Sequence, residues 1–197
     1  MNELHKLVVA GSGEAGSSQR GLFDARVRAT VRYADPAAWT TATAVANALA
    51  GAEELLARWK HEIGIIAISD QGPGETIAQV LAEGTKGFSQ PMHYAAASPG
   101  TLVGVSCIAF GLRGPTMNLT MAPREGIPVA LTLCAGWLER KAAKFMVVAT
   151  CGASSSGVMM SRALLLALSE YSEPGKPLTE AVITWLTAVD PASGASA

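Results

Sequence analysis

Charge is scarce in this chain. Lysine, arginine, aspartate and glutamate make up 16% of its 197 residues, and the formal net charge is -1. Ordinary soluble domains carry roughly 25% charged residues. No lysine–arginine cluster forms a surface that would track phosphates, which argues against a nucleic-acid partner. Histidine is equally sparse: His5, His61 and His93 are scattered, with no second ligand at useful spacing, so no metal or cofactor is expected. The cysteines are Cys107, Cys134 and Cys151, odd in number and set in apolar surroundings. They read as buried, reduced thiols of a cytoplasmic protein. No stretch approaches the roughly 18 uninterrupted apolar residues of a membrane span. The first apolar run, in MNELHKLVVAGSGEAG, stops at glycines too soon for a signal peptide.

What the chain has is apolar surface. Hydrophobic residues are 49% of it and the mean hydropathy is +0.28. A single domain of this length has too little interior to hide so much, so part of it is expected to lie under another chain.

Five buried strands are expected, alternating with helices. They are KLVVAG (6–11), IGIIAIS (63–69), TMNLTM (116–121), KFMVVATCG (144–152) and MMSRALLLALSE (159–170). The length of the last also permits a helix. SGEAGSSQRG reads as a mobile loop. DPAAWTTATAVANALAGAEELLARWK (35–60) reads as one long helix, with Pro36 in its first turn. GETIAQVLAEG (Gly74–Gly84) is a helix closed by glycine, and a loop through Ser89 and Pro91 follows. The helix in SPGTLVGVSCIAFGLRG is apolar all round, which implies burial. EGIPVALTLCAGWLERK is a helix with basic residues at its end. GKPLTEAVITWLTAV is helix or strand, and ASGASA (192–197) is a frayed end. The alternation implies a mixed, mostly parallel five-stranded α/β sheet with helices on both faces.

Two motifs carry possible chemistry. VVAGSGEAG places Gly11, Gly13 and Gly16 in a G-x-G-x-x-G pattern after a strand, with Asp35 at a distance that suits a ribose hydroxyl. The residues after Gly16 lack an apolar helical face, and the next strand begins only near Ile63, so a flexible loop is the better reading. The second motif is GPTMNLTMAPREGIPVA (114–130): Gly-Pro, a short strand, a sharp bend, then a helix. This is the layout of a nucleophile turn. There the helix dipole lowers a thiol pKa and the backbone N–H stabilises an oxyanion. The bend carries Pro123, which has neither nucleophilic atom nor N–H but suits a helix start.

The segment from 98 to 152 resembles the N-terminal half of a β-ketoacyl synthase of the thiolase superfamily. Gly111, Leu112, Arg113, Gly114 and Pro115 match that family's Gly-Leu-x-Gly-Pro turn. Ala122 matches the residue before the catalytic cysteine, and Pro123 falls on the cysteine itself. Arg124 and Glu125 replace the usual small residues, and nothing matches the histidine motifs of the family's second half. The resemblance thus implies one thiolase-like half-fold over 1–197 without the catalytic half. It is of the chain-length-factor type, a pseudoenzyme in type II polyketide (polyene-type) pathways. Full-length members often carry glutamine at the cysteine position; proline cannot take over its role.

The resemblance also implies the working arrangement. The partner is an active ketosynthase in a heterodimer, with acyl carrier protein engaged indirectly through it. Thr116, Met117, Asn118, Leu119, Thr120 and Met121 would pair across the interface, and Glu75, Ile77, Ala78 and Leu81 would border the partner's acyl tunnel. Plain packing is the competing reading for Met117, Met121, Ile77 and Leu81. Two further functions stay open: a homodimeric scaffold without condensing activity, and an acyltransferase using Ser106, Cys107 or Cys134.

Overall fold

Two runs without a single charge, IGIIAI and MVVATCG, form the middle of one sheet because only strands covered on both faces tolerate such composition. The computed structural model describes residues 4–88, 90–153, 158–171 and 176–189. The sheet comprises β1 (Leu7–Ala15), β2 (Ile63–Ile68), β3 (Thr116–Leu119), β4 (Phe145–Ala153), β5 (Met159–Leu168) and β6 (Lys176–Pro177). Their order is β3-β2-β4-β5-β1-β6. The five expected strands are all present, and a sixth of two residues joins β1. The sheet is divided rather than mostly parallel. β3, β2 and β4 run parallel, whereas β5, β1 and β6 pair antiparallel.

Side chains alternate between two cores. Ile63, Ile65, Ala67, Val147, Ala149 and Leu165 face one side, under α2 (Pro36–Ala48) and α6 (Thr101–Phe110). Ile66, Ile68, Met146, Val148, Leu164 and Leu166 face the other, under α7 (Pro123–Glu139) and α8 (Glu180–Thr187). The short helices α1 (Ala25–Thr30), α3 (Glu53–Trp59), α4 (Gly74–Gly84) and α5 (Pro91–Ala96) lie outside these layers. The segment left open between helix and strand is thus mainly α8, preceded by β6. The frayed end expected over 192–197 lies outside the described residues.

Helix α2 is the most buried of the helices. Asp35 caps it by accepting from Ala37 N at 2.7 Å, and Pro36 starts it. Residues Ala37 to Val45 are all buried. Its threonines cost little there because each hydroxyl donates back one turn: Thr40 to Pro36 O, Thr41 to Ala37 O and Thr43 to Trp39 O. The single helix expected over 35–60 is two, because the chain turns at Gly51, whose φ of 80° is left-handed. The basic end expected of α7 falls just past the helix: Arg140 is the C-cap, and Lys141 turns left-handed at φ 57°.

The glycines near the start have a steric role. β1 runs on through Ala15, so GSGEA is strand and not the expected loop. A Cβ on Gly11 would stand 2.1 Å from Ala48 O, and one on Gly13 would stand 2.4 Å from Ala48 N and 2.5 Å from Ala44 O. The α2 backbone therefore lies directly on the β1 backbone. Asp35, the residue suited to a ribose, is an N-cap. Neither half of the dinucleotide motif is free to bind a nucleotide.

Gly13→Ala is expected to destabilise the fold by at least roughly 1–3 kcal/mol, since only backbone could yield to the new methyl. Gly16→Ala meets nothing within 4 Å and is expected to stay within about 0.5 kcal/mol of wild type. Urea unfolding of the two variants checks the contrast.

Candidate functional site

β3 leads into the bend. It pairs with β2 in parallel, Ile65 opposite Thr116 and Ile68 opposite Leu119. Ile65 N donates to Pro115 O at 2.9 Å and Ser69 N donates to Leu119 O at 3.0 Å. Because successive backbone groups alternate sides, those of Thr116 and Asn118 point away from β2. No described strand lies there, since β3 ends the sheet. Thr116 and Thr120 are exposed, and Met117, Asn118, Leu119 and Met121 are half-buried. Met117, Leu119 and Met121 pack against the α7-side core, so intrachain packing accounts for part of their burial. Asn118 lies on the opposite face, in register with Ala67. Its Oδ1 and Nδ2 are buried without a hydrogen-bond partner among the described residues.

The bend keeps its helix geometry. Ala122 is the N-cap with extended backbone, and its carbonyl accepts from Glu125 N at 3.0 Å and Gly126 N at 2.9 Å. Pro123 is the first helical residue and is buried. Glu125 sits in the first turn, where the helix dipole favours an acid. A Cβ on Gly126 would meet Ile68 Cγ2 at 2.5 Å, so the helix start is pressed against the end of β2. The position suited to a nucleophile thus has neither a nucleophilic atom nor an N–H.

The three thiols are all held above the ordinary thiol range. Burial pushes Cys107 up, opposed by its contact with Thr116 Oγ1 at 4.0 Å. Burial pushes Cys134 up to about 12. It also raises Cys151, against the lowering hydrogen bonds of Ser161 and Thr41. All three shifts deplete the reactive thiolate at neutral pH. Ser106 is fully buried, and its Oγ has no partner that could act as a base among the described residues.

The tunnel candidates sit on α4, and the structure separates them. Thr76 is the only buried residue of that helix. Ile77 is 37% and Leu81 66% exposed, and Ala78 is exposed beside them. Leu81 is therefore mostly free of packing within its own chain, whereas Ile77 is partly covered by it. Glu75 turns instead, with Gln79, to a polar cleft of about 320 Å³ shared with Arg20, Arg32, Tyr33 and His93. Ser69 joins the two regions: it donates to Leu119 O at the end of β3, and its Oγ accepts from Gly72 N shortly before α4.

Sequence reasoning missed α5 and read its span as loop. Pro91 after Gln90 was the available sign of a helix start. With α5 come Met92, 51% exposed, and Tyr94, 68% exposed; Phe88, just before it, is 68% exposed. Nor is α6 buried all round, since Ile108 is 47% exposed. Met92 and Ile108 flank an apolar cleft of about 300 Å³ with Ala95, Gly104 and Val105.

In the folded protein at pH 8, iodoacetamide is expected to leave Cys134 and Cys151 unmodified and to alkylate Cys107 more slowly than a free thiol. Denaturation should make all three react fully. Intact mass spectrometry reads both states.

No protein-family model matches this sequence, and no curated protein matches it. Solved structures do. A chain of the ishigamide ketosynthase/chain length factor superposes with a TM-score of 0.67 at 14% identity, covering 88% of this chain and 64% of the other. A chain of the complex of a ketosynthase with its chain length factor from Xenorhabdus doucetiae gives 0.53 at 16% identity, covering 72% and 60%. A chain of a type II acyl-carrier protein–ketosynthase complex bound to a hexaketide gives 0.63 at 15% identity, covering 85% and 64%. The chain thus spans less than two thirds of the length of these proteins. Its fold is the one found in part of these ketosynthase and chain length factor chains.

Proposed function

We propose that this chain is a non-catalytic, chain-length-factor-like subunit that pairs with an active ketosynthase in a type II polyketide pathway of the polyene type. The observation that carries the reading is Pro123. It stands at the start of α7, where a condensing enzyme of this fold needs a nucleophile with its own N–H. The raised thiols of Cys107 and Cys134 offer no substitute.

Pairing would begin at β3. Its outward backbone groups at Thr116 and Asn118 suit strand addition, which removes an otherwise open sheet edge. The apolar side chains around α4 and α5 supply the rest. Ile77, Leu81, Phe88, Met92 and Tyr94 are all exposed in the single chain. Each is 37–68% exposed, so covering the remainder contributes roughly half of the ~1.5–3 kcal/mol of a full burial, and together they reach the lower part of the ~4–15 kcal/mol entropic cost of association. The partner would supply the cysteine, the histidines and the docking of acyl carrier protein. This chain would close the inner end of the acyl tunnel with the Ile77–Ala78–Leu81 face of α4. Glu75 would stand at the edge of that wall, toward the polar cleft.

The test is coexpression with candidate ketosynthases and analysis of the products. Ala78→Phe enlarges an exposed side chain without disturbing the core, so the complex should survive and its products should become shorter. Unchanged product length in an intact complex would remove α4 from the tunnel wall. A well-behaved homodimer that ignores every ketosynthase would support the scaffold reading instead.

A further inference from the structure

Helix α4 has little apolar footing in its own chain, where Val80 is half-buried and Ile77 is 37% exposed. Thr76 alone is buried, so hydrogen bonds at the two ends hold the helix. At the C-terminal end, Glu83 Oε1 pairs with His93 Nδ1 at 2.8 Å, and Glu83 Oε2 accepts from Gln90 N at 3.1 Å. Gln79 Nε2 adds contacts to Glu83 Oε1 at 3.1 Å and His93 Nδ1 at 3.2 Å. This cluster ties α4 to α5, a helix of six residues whose one buried residue is Ala96, and the His93 ring there packs edge-on against Tyr33 at 5.6 Å.

The N-terminal end is tied to the core. Asp35 is 1% exposed. Its Oδ1 accepts from Ala37 N at 2.7 Å, capping α2, and its Oδ2 accepts from Thr76 N at 2.8 Å. One carboxylate therefore holds the first turns of two helices, one mostly buried and one mostly exposed. Hydrogen bonds to an ionised acceptor are among the stronger ones, and burial makes their loss costlier.

We propose that Asp35 is the positioning residue of α4, transferring the fixed placement of α2 to the exposed face of Ile77, Ala78 and Leu81. Its consequence for product length rests on the reading of that face as a tunnel wall. The role needs two acceptor oxygens on one short side chain. Asparagine has one acceptor and would turn its NH₂ toward one of the two amide donors, and serine has a single hydroxyl. Both still serve as N-caps for α2.

The experiment is hydrogen–deuterium exchange of the full chain carrying Asp35→Asn or Asp35→Ser. Amides over 78–84 are expected to exchange about tenfold faster than in wild type, with α2 and the central strands unchanged. Unchanged exchange over 78–84 in both variants would overturn the proposal. So would acceleration spread evenly over α2 and the sheet, which would assign Asp35 to general stability. A second arm coexpresses the variants with the ketosynthase and measures products, which should spread over a wider range of lengths. Faster exchange in α4 with products unchanged would keep the positioning role and overturn the tunnel-wall reading.

Discussion

The backbone of α2 rests on the backbone of β1 with no side chain between them, and the rest of the structure is arranged around that contact. Gly11 and Gly13 permit it. Once α2 is seated, Trp39, Ala42 and Val45 complete one core, with α6 packed beside it. The sheet beneath then carries α7 and α8 on its other face. From the start of α2, Asp35 reaches the start of α4. A contact made of glycine and backbone thus decides where an exposed helix some forty residues further along is held.

The bend between β3 and α7 separates shape from chemistry. Proline at the first helical position costs nothing in the helix, since the N–H there has no intrahelical acceptor. The same substitution removes the two groups that an acyl-transfer site needs at that point. Gly126 preserves the close fit of the helix start on Ile68. In the proposed role this is coherent: the turn still ends β3 and sets its edge, while the reacting groups come from the partner.

Much of this was legible in the sequence. The strands announced themselves as apolar runs, and the edge position of β3 came from a resemblance carried by Gly111, Leu112, Gly114 and Pro115. What misled were features whose cause is tertiary. The G-x-G pattern looked like a phosphate loop, yet its glycines answer to a helix that packs on them from 30 residues away or more. The long helix over 35–60 showed unbroken helical composition, and only Gly51 marked its turn. The antiparallel pairing of β4 with β5 is a tertiary choice that apolar runs do not encode. For the site, Pro123 and α4 were readable, whereas α5 was too short for periodicity to reveal. The bridging role of Asp35 could not be read at all, because Thr76 lies 41 residues beyond it.

The exposed apolar residues and the open edge of β3 among the described strands offer one invitation to a partner. In the proposed role, a ketosynthase covers them. The most direct measurement is the native mass of the material that copurifies when this 20.3 kDa chain is coexpressed with a candidate ketosynthase. A stable complex of one chain with one ketosynthase subunit is expected. A chain recovered as a stable monomer or homodimer, with every ketosynthase offered left free, would contradict it.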